Sequence, residues 1–250
     1  MSSGPSGGPP VLILHGWGSS AAVMQGFAQS LEDRYRVLNV DLPGHGLAAA
    51  PPESMDMEAH AEAVAGHLVG PAHVIGHSNG GRIALYMAGS DRYAHLIRSL
   101  TLISPSGVRR PRTAAYHVRR TVATVLKAPF RPLPTFLREP GLDWLRHSLV
   151  WRLLGSSDYR KLEGPMRETF VQLVNTYVEE RLDRIAAPTL LFWGDADQAI
   201  LKAQIDVLMA GIPEIGLVTL EGAGHYGFLD QPATVYAGTR HFLDQLEETA

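Results

Sequence analysis

The sequence contains no cysteine, which excludes a disulfide framework and any thiolate metal site. It has no apolar run near the roughly 18 residues that a bilayer-spanning helix needs, so no membrane span is expected. Nor is there a surplus of positive charge. Lys and Arg number 22 against 25 Asp and Glu, a formal net charge of −3, and this argues against nucleic acid as a main partner. Internal repeats are absent, and low complexity is confined to residues 1–10, which are Ser, Gly and Pro after the methionine. That stretch lacks the basic start and apolar centre of a signal peptide. It reads as a flexible lead-in, with the cytoplasm as the expected location. What is present is 250 residues, 45% hydrophobic and 19% charged, enough for one large domain or for a core domain with an insertion.

Six short apolar runs read as strands: residues 11–14, 36–40, 73–75, 100–103, 189–193 and 216–220. They are continuously apolar or nearly so, as strands covered on both faces are. Helical patterns separate them, at residues 22–31, 57–69, 82–88, 200–209 and 233–246. Strands alternating with helices predict an α/β fold with a mostly parallel sheet and right-handed crossovers. The alternation fails between residues 107 and 187, where helical patterns continue without a clear strand. Met166, Phe170, Leu173 and Val174 share one helical face there. Eighty residues are too many for a plain loop, so an inserted helical cap is expected. The predicted organisation is a lead-in at 1–10, a core domain at 11–107 and 188–250, and a cap at 108–187.

The most informative stretch is Gly76-His77-Ser78-Asn79-Gly80. It reads G-x-S-x-G between a predicted strand and a predicted helix, the context of a nucleophile elbow. The sharp turn strains its central residue and lifts that side chain clear of the sheet, while the flanking glycines relieve collisions across the turn. Ser78 is therefore the candidate nucleophile. A serine hydroxyl needs a base within hydrogen-bond reach, and the base needs an acceptor that fixes its tautomer. His225, in Gly222-Ala223-Gly224-His225 after the last strand, is the candidate base. Asp197, in the loop after the fifth predicted strand, is the candidate acid. Its neighbour Asp195 sits so close to the strand end that closing the turn suits it better. In parallel sheets ligands bind beyond the carboxyl ends of the strands, and Ser78, Asp197 and His225 all lie there.

Acyl transfer also needs donors aimed at a developing oxyanion. The backbone amides of Asn79, after the nucleophile, and of Trp17, in the loop after the first predicted strand, are the candidates. Other polar residues near strand ends are read as structural: His15 as a brace of its loop, His45 within its Pro-Gly-His-Gly turn, His77 as pointing away from the candidate nucleophile, Asp41 as a partner of loop amides, Arg82 as a donor to nearby carbonyls. Trp144, Trp151 and Tyr159 are candidates for a pocket lining, but aromatics at such spacings more often pack between cap helices. The run Arg109, Arg110, Arg112, Arg119, Arg120, Lys127, Arg131 and Arg138, with no acid among them, is either a solvated face or a cationic entrance that attracts anionic substrates or an anionic membrane surface.

Four motifs in order complete the picture: His15-Gly16-Trp17-Gly18, Asp41-Leu42-Pro43-Gly44-His45-Gly46, Gly76-His77-Ser78-Asn79-Gly80-Gly81, and Gly194-Asp195-Ala196-Asp197 followed by Gly224-His225. With these the chain resembles the α/β-hydrolase superfamily, in its serine-nucleophile branch with a helical cap. The order Ser, Asp, His along the chain is also that of α/β-hydrolases. The resemblance implies a sheet shortened to six strands, because only ten residues precede the first run. It implies Ser78, Asp197 and His225 as a triad, Trp17 and Asn79 as oxyanion amides, and neither cofactor nor metal. Proline often follows the acid in this family, whereas Gln198 follows here, and Asn79 is polar where relatives are often apolar. The expected activity is hydrolysis of a small carboxylic ester through an acyl-enzyme. Alternatives are hydrolysis of a carbon–carbon bond in a diketone-like acid, thioester or lactone hydrolysis, and a small-molecule receptor that retained its triad. Substrate identity and oligomeric state are not legible.

Overall fold

The computed structural model describes residues 2–111 and 162–249, together with positions 121, 122, 124, 125, 128–130, 132, 134 and 137 between them. The chain divides into two compact units, Met1–Arg110 with Gly164–Ala250, and Pro111–Glu163. In the second unit a 3-10 turn occupies Ala128–Phe130. The cations from Arg112 to Arg138 and the aromatics Trp144, Trp151 and Tyr159 lie outside the described residues.

The first unit is built on one seven-stranded sheet: β1 (Ser2–Ser3), β2 (Pro10–Leu14), β3 (Arg36–Val40), β4 (Ala72–His77), β5 (Ile97–Ile103), β6 (Thr189–Gly194) and β7 (Ile215–Leu220). Their order across the sheet is β1-β3-β2-β4-β5-β6-β7. All neighbours are parallel except β1, which runs antiparallel to β3 with Ser2 opposite Leu38 and Ser3 opposite Val37. This is an α/β-hydrolase fold with a mostly parallel sheet. The expectation of six strands is corrected to seven. The added strand comes from the Ser- and Gly-rich start, where backbone pairing substitutes for an apolar pattern and the Ser3 hydroxyl donates to Glu32 at 2.6 Å.

Alternate residues of each central strand serve opposite faces. Val11, Ile13, Val37, Ile75, Ile103 and Phe192 pack on one side with Phe27 of α1 (Gln25–Gln29) and with Val235 and Leu243 of the carboxy-terminal helix. Leu12, Leu14, Val74, Leu100, Leu102 and Leu191 pack on the other, against α2 (Met57–Ala65) and α3 (Asn79–Ala88). α2 starts at Asp56, whose carboxylate accepts the Ala59 amide at 2.8 Å in an N-cap. Further on come α4 (Gly164–Asn175), α5 (Lys202–Gly211), the single turn α6 (Gly227–Asp230) and α7 (Pro232–Glu248).

α4 presents Leu173 to the core, with Phe170 and Met166 partly covered. Val174, expected on that face, is exposed; the buried position is Thr169, whose hydroxyl accepts the Met55 amide at 2.9 Å. The covered face thus runs through Met166, Thr169, Phe170 and Leu173, at the i, i+3, i+4, i+7 spacing of a helix. Among the described residues no helix is long and apolar enough to cross a membrane.

Candidate active site

Ser78 stands between β4 and α3 with φ +50° and ψ −109°, a left-handed backbone that non-glycine residues rarely adopt. Three bonds hold it there. Its amide donates to the Ile103 carbonyl at 3.1 Å, and its own carbonyl accepts from Arg82 and Ser106, each at 3.0 Å. Close packing around the turn demands glycine: a methyl at Gly80 would drive into the carbonyl oxygens of Leu14 and His15. The β2 loop reaches the elbow in the same way. A methyl at Gly16 would stand 3.2 Å from Cβ of Ser78 and 2.9 Å from Nδ1 of His77. Trp17 follows directly in that loop. Asn79 opens α3, so its amide is one of the first four that a helix leaves without an internal acceptor.

The loops after β6 and β7 are knit together. The Ala196 amide donates to the Ala223 carbonyl at 3.1 Å, and the Gly222 amide to the Asp195 carboxylate at 2.6 Å. Within this scaffold the Asp197 carboxylate accepts Nδ1–H of His225 at 2.9 Å. Its other oxygen accepts the amides of Ala199 at 2.7 Å and Ile200 at 3.0 Å. The Asp197 side chain is fully buried. Burial pushes its pKa upward, but the bonds from His225, Ile200 and Ala199 outweigh that and hold the carboxyl below its ordinary value. With Nδ1–H donating to that carboxylate, Nε2 is the ring nitrogen of His225 left to meet other partners.

Thus the structure joins Asp197 to His225, and it sets Trp17 and Ser78 in adjoining loops. Among the described residues no hydrogen bond links Ser78 to His225; such bonds are often long before substrate arrives. The neighbours have other work. Asp195 closes the turn onto Gly222, and among the described residues no hydrogen bond links it to His225. His15 is fully buried, donates from Nδ1 to the Gly16 carbonyl at 2.7 Å and accepts the Leu42 amide at Nε2 at 3.0 Å, while burial lowers its pKa. Asp41 accepts the amides of Ala21 and Leu47. His45 donates to the Pro43 carbonyl at 3.0 Å. Arg82 is buried, donates to the Leu173 carbonyl at the end of α4, and has its pKa pushed down by burial to about 10.

The Trp17 ring packs against His45 at 4.6 Å and Phe170 at 5.2 Å between centroids. Among the described residues no group of three or more His, Asp or Glu is arranged to hold a metal. One contact escaped sequence reasoning. His77, fully buried, bonds through Nε2 to the His225 carbonyl at 3.0 Å across 148 residues. No local pattern signals a partner that far away.

A parallel sheet that carries a strained serine turn and an Asp–His pair beyond its strand ends defines an α/β-hydrolase. Residues 9–232 match the family described as alpha/beta hydrolase fold. The chain belongs to that family, and it is an enzyme of the hydrolase type. It is 30% identical to a pimeloyl-(acyl-carrier protein) methyl ester esterase of Chromobacterium violaceum, over 89% of either chain. It is 27% identical to the enzyme of that name from Neisseria meningitidis serogroup A, over 94% of this chain and 76% of the relative. Among solved structures it resembles a membrane phospholipase A described as a bacterial virulence factor, with a TM-score of 0.74 and 28% identity over 98% of this chain and 82% of the other.

Proposed function

We propose that the protein is a serine hydrolase that cleaves a small carboxylic ester through an acyl-enzyme. Ser78 is the nucleophile, His225 the base, Asp197 the group that orients His225, and the amides of Trp17 and Asn79 the oxyanion donors. The carrying observation is the 2.9 Å Asp197–His225 bond beside a serine held at positive φ. In the proposed cycle Ser78 Oγ attacks the ester carbonyl while its proton passes to Nε2 of His225. The tetrahedral oxyanion is held by the two amides, each worth about 2.7–4 kcal/mol of transition-state stabilisation. Collapse expels the alcohol, which takes the proton from His225. Water, deprotonated by His225, then releases the acid and restores Ser78.

The names of the relatives support ester hydrolysis over the carbon–carbon and thioester alternatives and add methyl esters of acyl chains to the candidate substrates. A helical cap within residues 108–187 and a cytoplasmic location belong to the same proposal. The compact unit Pro111–Glu163 falls inside the cap span. The test is stoichiometric labelling by a fluorophosphonate and turnover of nitrophenyl, methyl and diketone-acid substrates of graded length. Ser78→Ala is expected to abolish labelling and to lower kcat by about 10⁶-fold. Labelling of the native protein without turnover of any substrate would favour the receptor alternative. Turnover that persists in Ser78→Ala would remove Ser78 from the mechanism.

A further inference from the structure

We infer that His77 is a positioning residue, whose buried imidazole fixes the backbone of His225 relative to the serine turn. The inference rests on the serine-hydrolase reading above and adds a residue to that same site.

Two separate constraints are needed to bring a histidine to a nucleophile. Its ring must be turned correctly, and its backbone must stand at the right distance. Asp197 meets the first through Nδ1 of His225. The second is not met by regular structure, because His225 lies in the loop between β7 and α6, outside strand and helix. Asp230 holds that loop at one point by accepting the Gly224 amide at 2.7 Å. His77 holds it at the next residue. The His225 carbonyl only accepts, so Nε2 of His77 carries the proton in their 3.0 Å bond. Nδ1 is then unprotonated. It is buried without a partner among the described residues and lies against Gly16.

The ring is wedged between His225 at 4.9 Å, Tyr226 at 4.9 Å and Phe228 at 5.1 Å. One imidazole therefore contacts both the loop of the proposed oxyanion donor and the loop of the proposed base. It is joined to Ser78 by a single peptide bond. Burial pushes its pKa down to about 3, so the ring is neutral near pH 7 and Nδ1 carries no proton there.

A buried histidine that merely filled space would be replaceable by any side chain of similar volume. A positioning residue is replaceable only by one that restores the donor. The amide nitrogen of glutamine sits close to where Nε2 of histidine sits, and leucine has no donor. The experiment compares His77→Leu and His77→Gln in the full chain, with kinetics on a short nitrophenyl ester, fluorophosphonate labelling rates and thermal unfolding. His77→Leu is expected to lower kcat about 10²-fold with KM changed less than about twofold, the signature of roughly 1 Å of misplacement. Labelling should slow in proportion. His77→Gln should recover kcat to within about fivefold of the native value, even where both variants unfold at the same lowered temperature.

Native kcat in His77→Leu, or a His77→Gln as slow as His77→Leu, overturns the inference. If His77→Leu does not fold, His77→Asn replaces it. Its amide is polar but too short to reach the carbonyl, so it should match the 10²-fold loss, and native kcat there overturns the inference equally. Turnover in Ser78→Ala would instead defeat the parent reading. Turnover that requires Ser78 but ignores His77 defeats this inference alone.

Discussion

Asp195 and Asp197 lie two residues apart in one loop, and the backbone gives them opposite work. Asp195 is exposed and accepts one amide, that of Gly222. Asp197 is buried and accepts His225 together with two amides. Asp197→Asn is expected to lower kcat about 10⁴-fold by favouring the wrong tautomer of His225. Asp195→Ala should leave kcat nearly native and cost about 1 kcal/mol of stability for its single hydrogen bond. Steady-state kinetics and urea unfolding on the two variants separate these roles. Equal kinetic losses would return Asp195 to the list of candidate acids.

At the scale of elements, legibility in the sequence followed apolar patterning. The six strands β2 to β7 were readable because each is a largely apolar run that leads into a loop containing Gly, Asp or Ser. Ser2–Ser3 was unreadable, since two serines carry no pattern and only pairing with Val37 and Leu38 makes them a strand. Val174, expected on the covered face of α4, is exposed, while Thr169 is buried and bonded to Met55, a long-range contact that no local pattern announces. The site was legible in the same uneven way. Ser78, Asp197 and His225 stand at strand ends that periodicity locates, whereas the bond from His77 to residue 225 depends on the folded sheet.

The carboxy-terminal helix α7 depends on folding equally. Its Glu247 accepts Nε2–H of the buried His73 at 2.9 Å, and Nδ1 of His73 accepts the Ser99 hydroxyl at 2.7 Å. Arg98 adds an ion pair to Glu247 at 2.9 Å. Glu247→Ala leaves the His73 donor buried and unsatisfied, for an expected loss of about 1–3 kcal/mol. His73 is near the start of β4 and Ser78 is beyond its end, so esterase kcat should not change. A urea titration alongside an activity assay tests both halves of that statement.

The whole molecule carries a pH signature. His15, His45, His60, His73 and His77 all have pKa values below their ordinary 6.5, with burial the largest cause at each. The unfolded chain therefore binds more protons than the folded one wherever the pH lies below 6.5 and above the folded values. Stability rises with pH across that window and is fully present above it. On acidification, the loss should begin near pH 6.5. Each fully buried histidine contributes up to about 1.4 kcal/mol per pH unit, and for His77 the window extends down to about 3. The lowered carboxyls of Asp41 and Asp197, ordinarily 3.8, act in the same direction at lower pH. Urea midpoints at pH 7.5, 6.5 and 5.5 should be level over the upper interval and fall over the lower. A flat profile to pH 5.5 would contradict the neutral assignment of these rings.

In the proposed mechanism the positive φ of Ser78 also limits which alcohol can stand at the turn. Threonine offers the same hydroxyl, but its extra methyl on Cβ makes a left-handed backbone a genuine outlier. Cysteine, unbranched like serine, adds no such crowding. On that proposed reading, selection between the two alcohols is made by peptide geometry before any bond to a substrate forms.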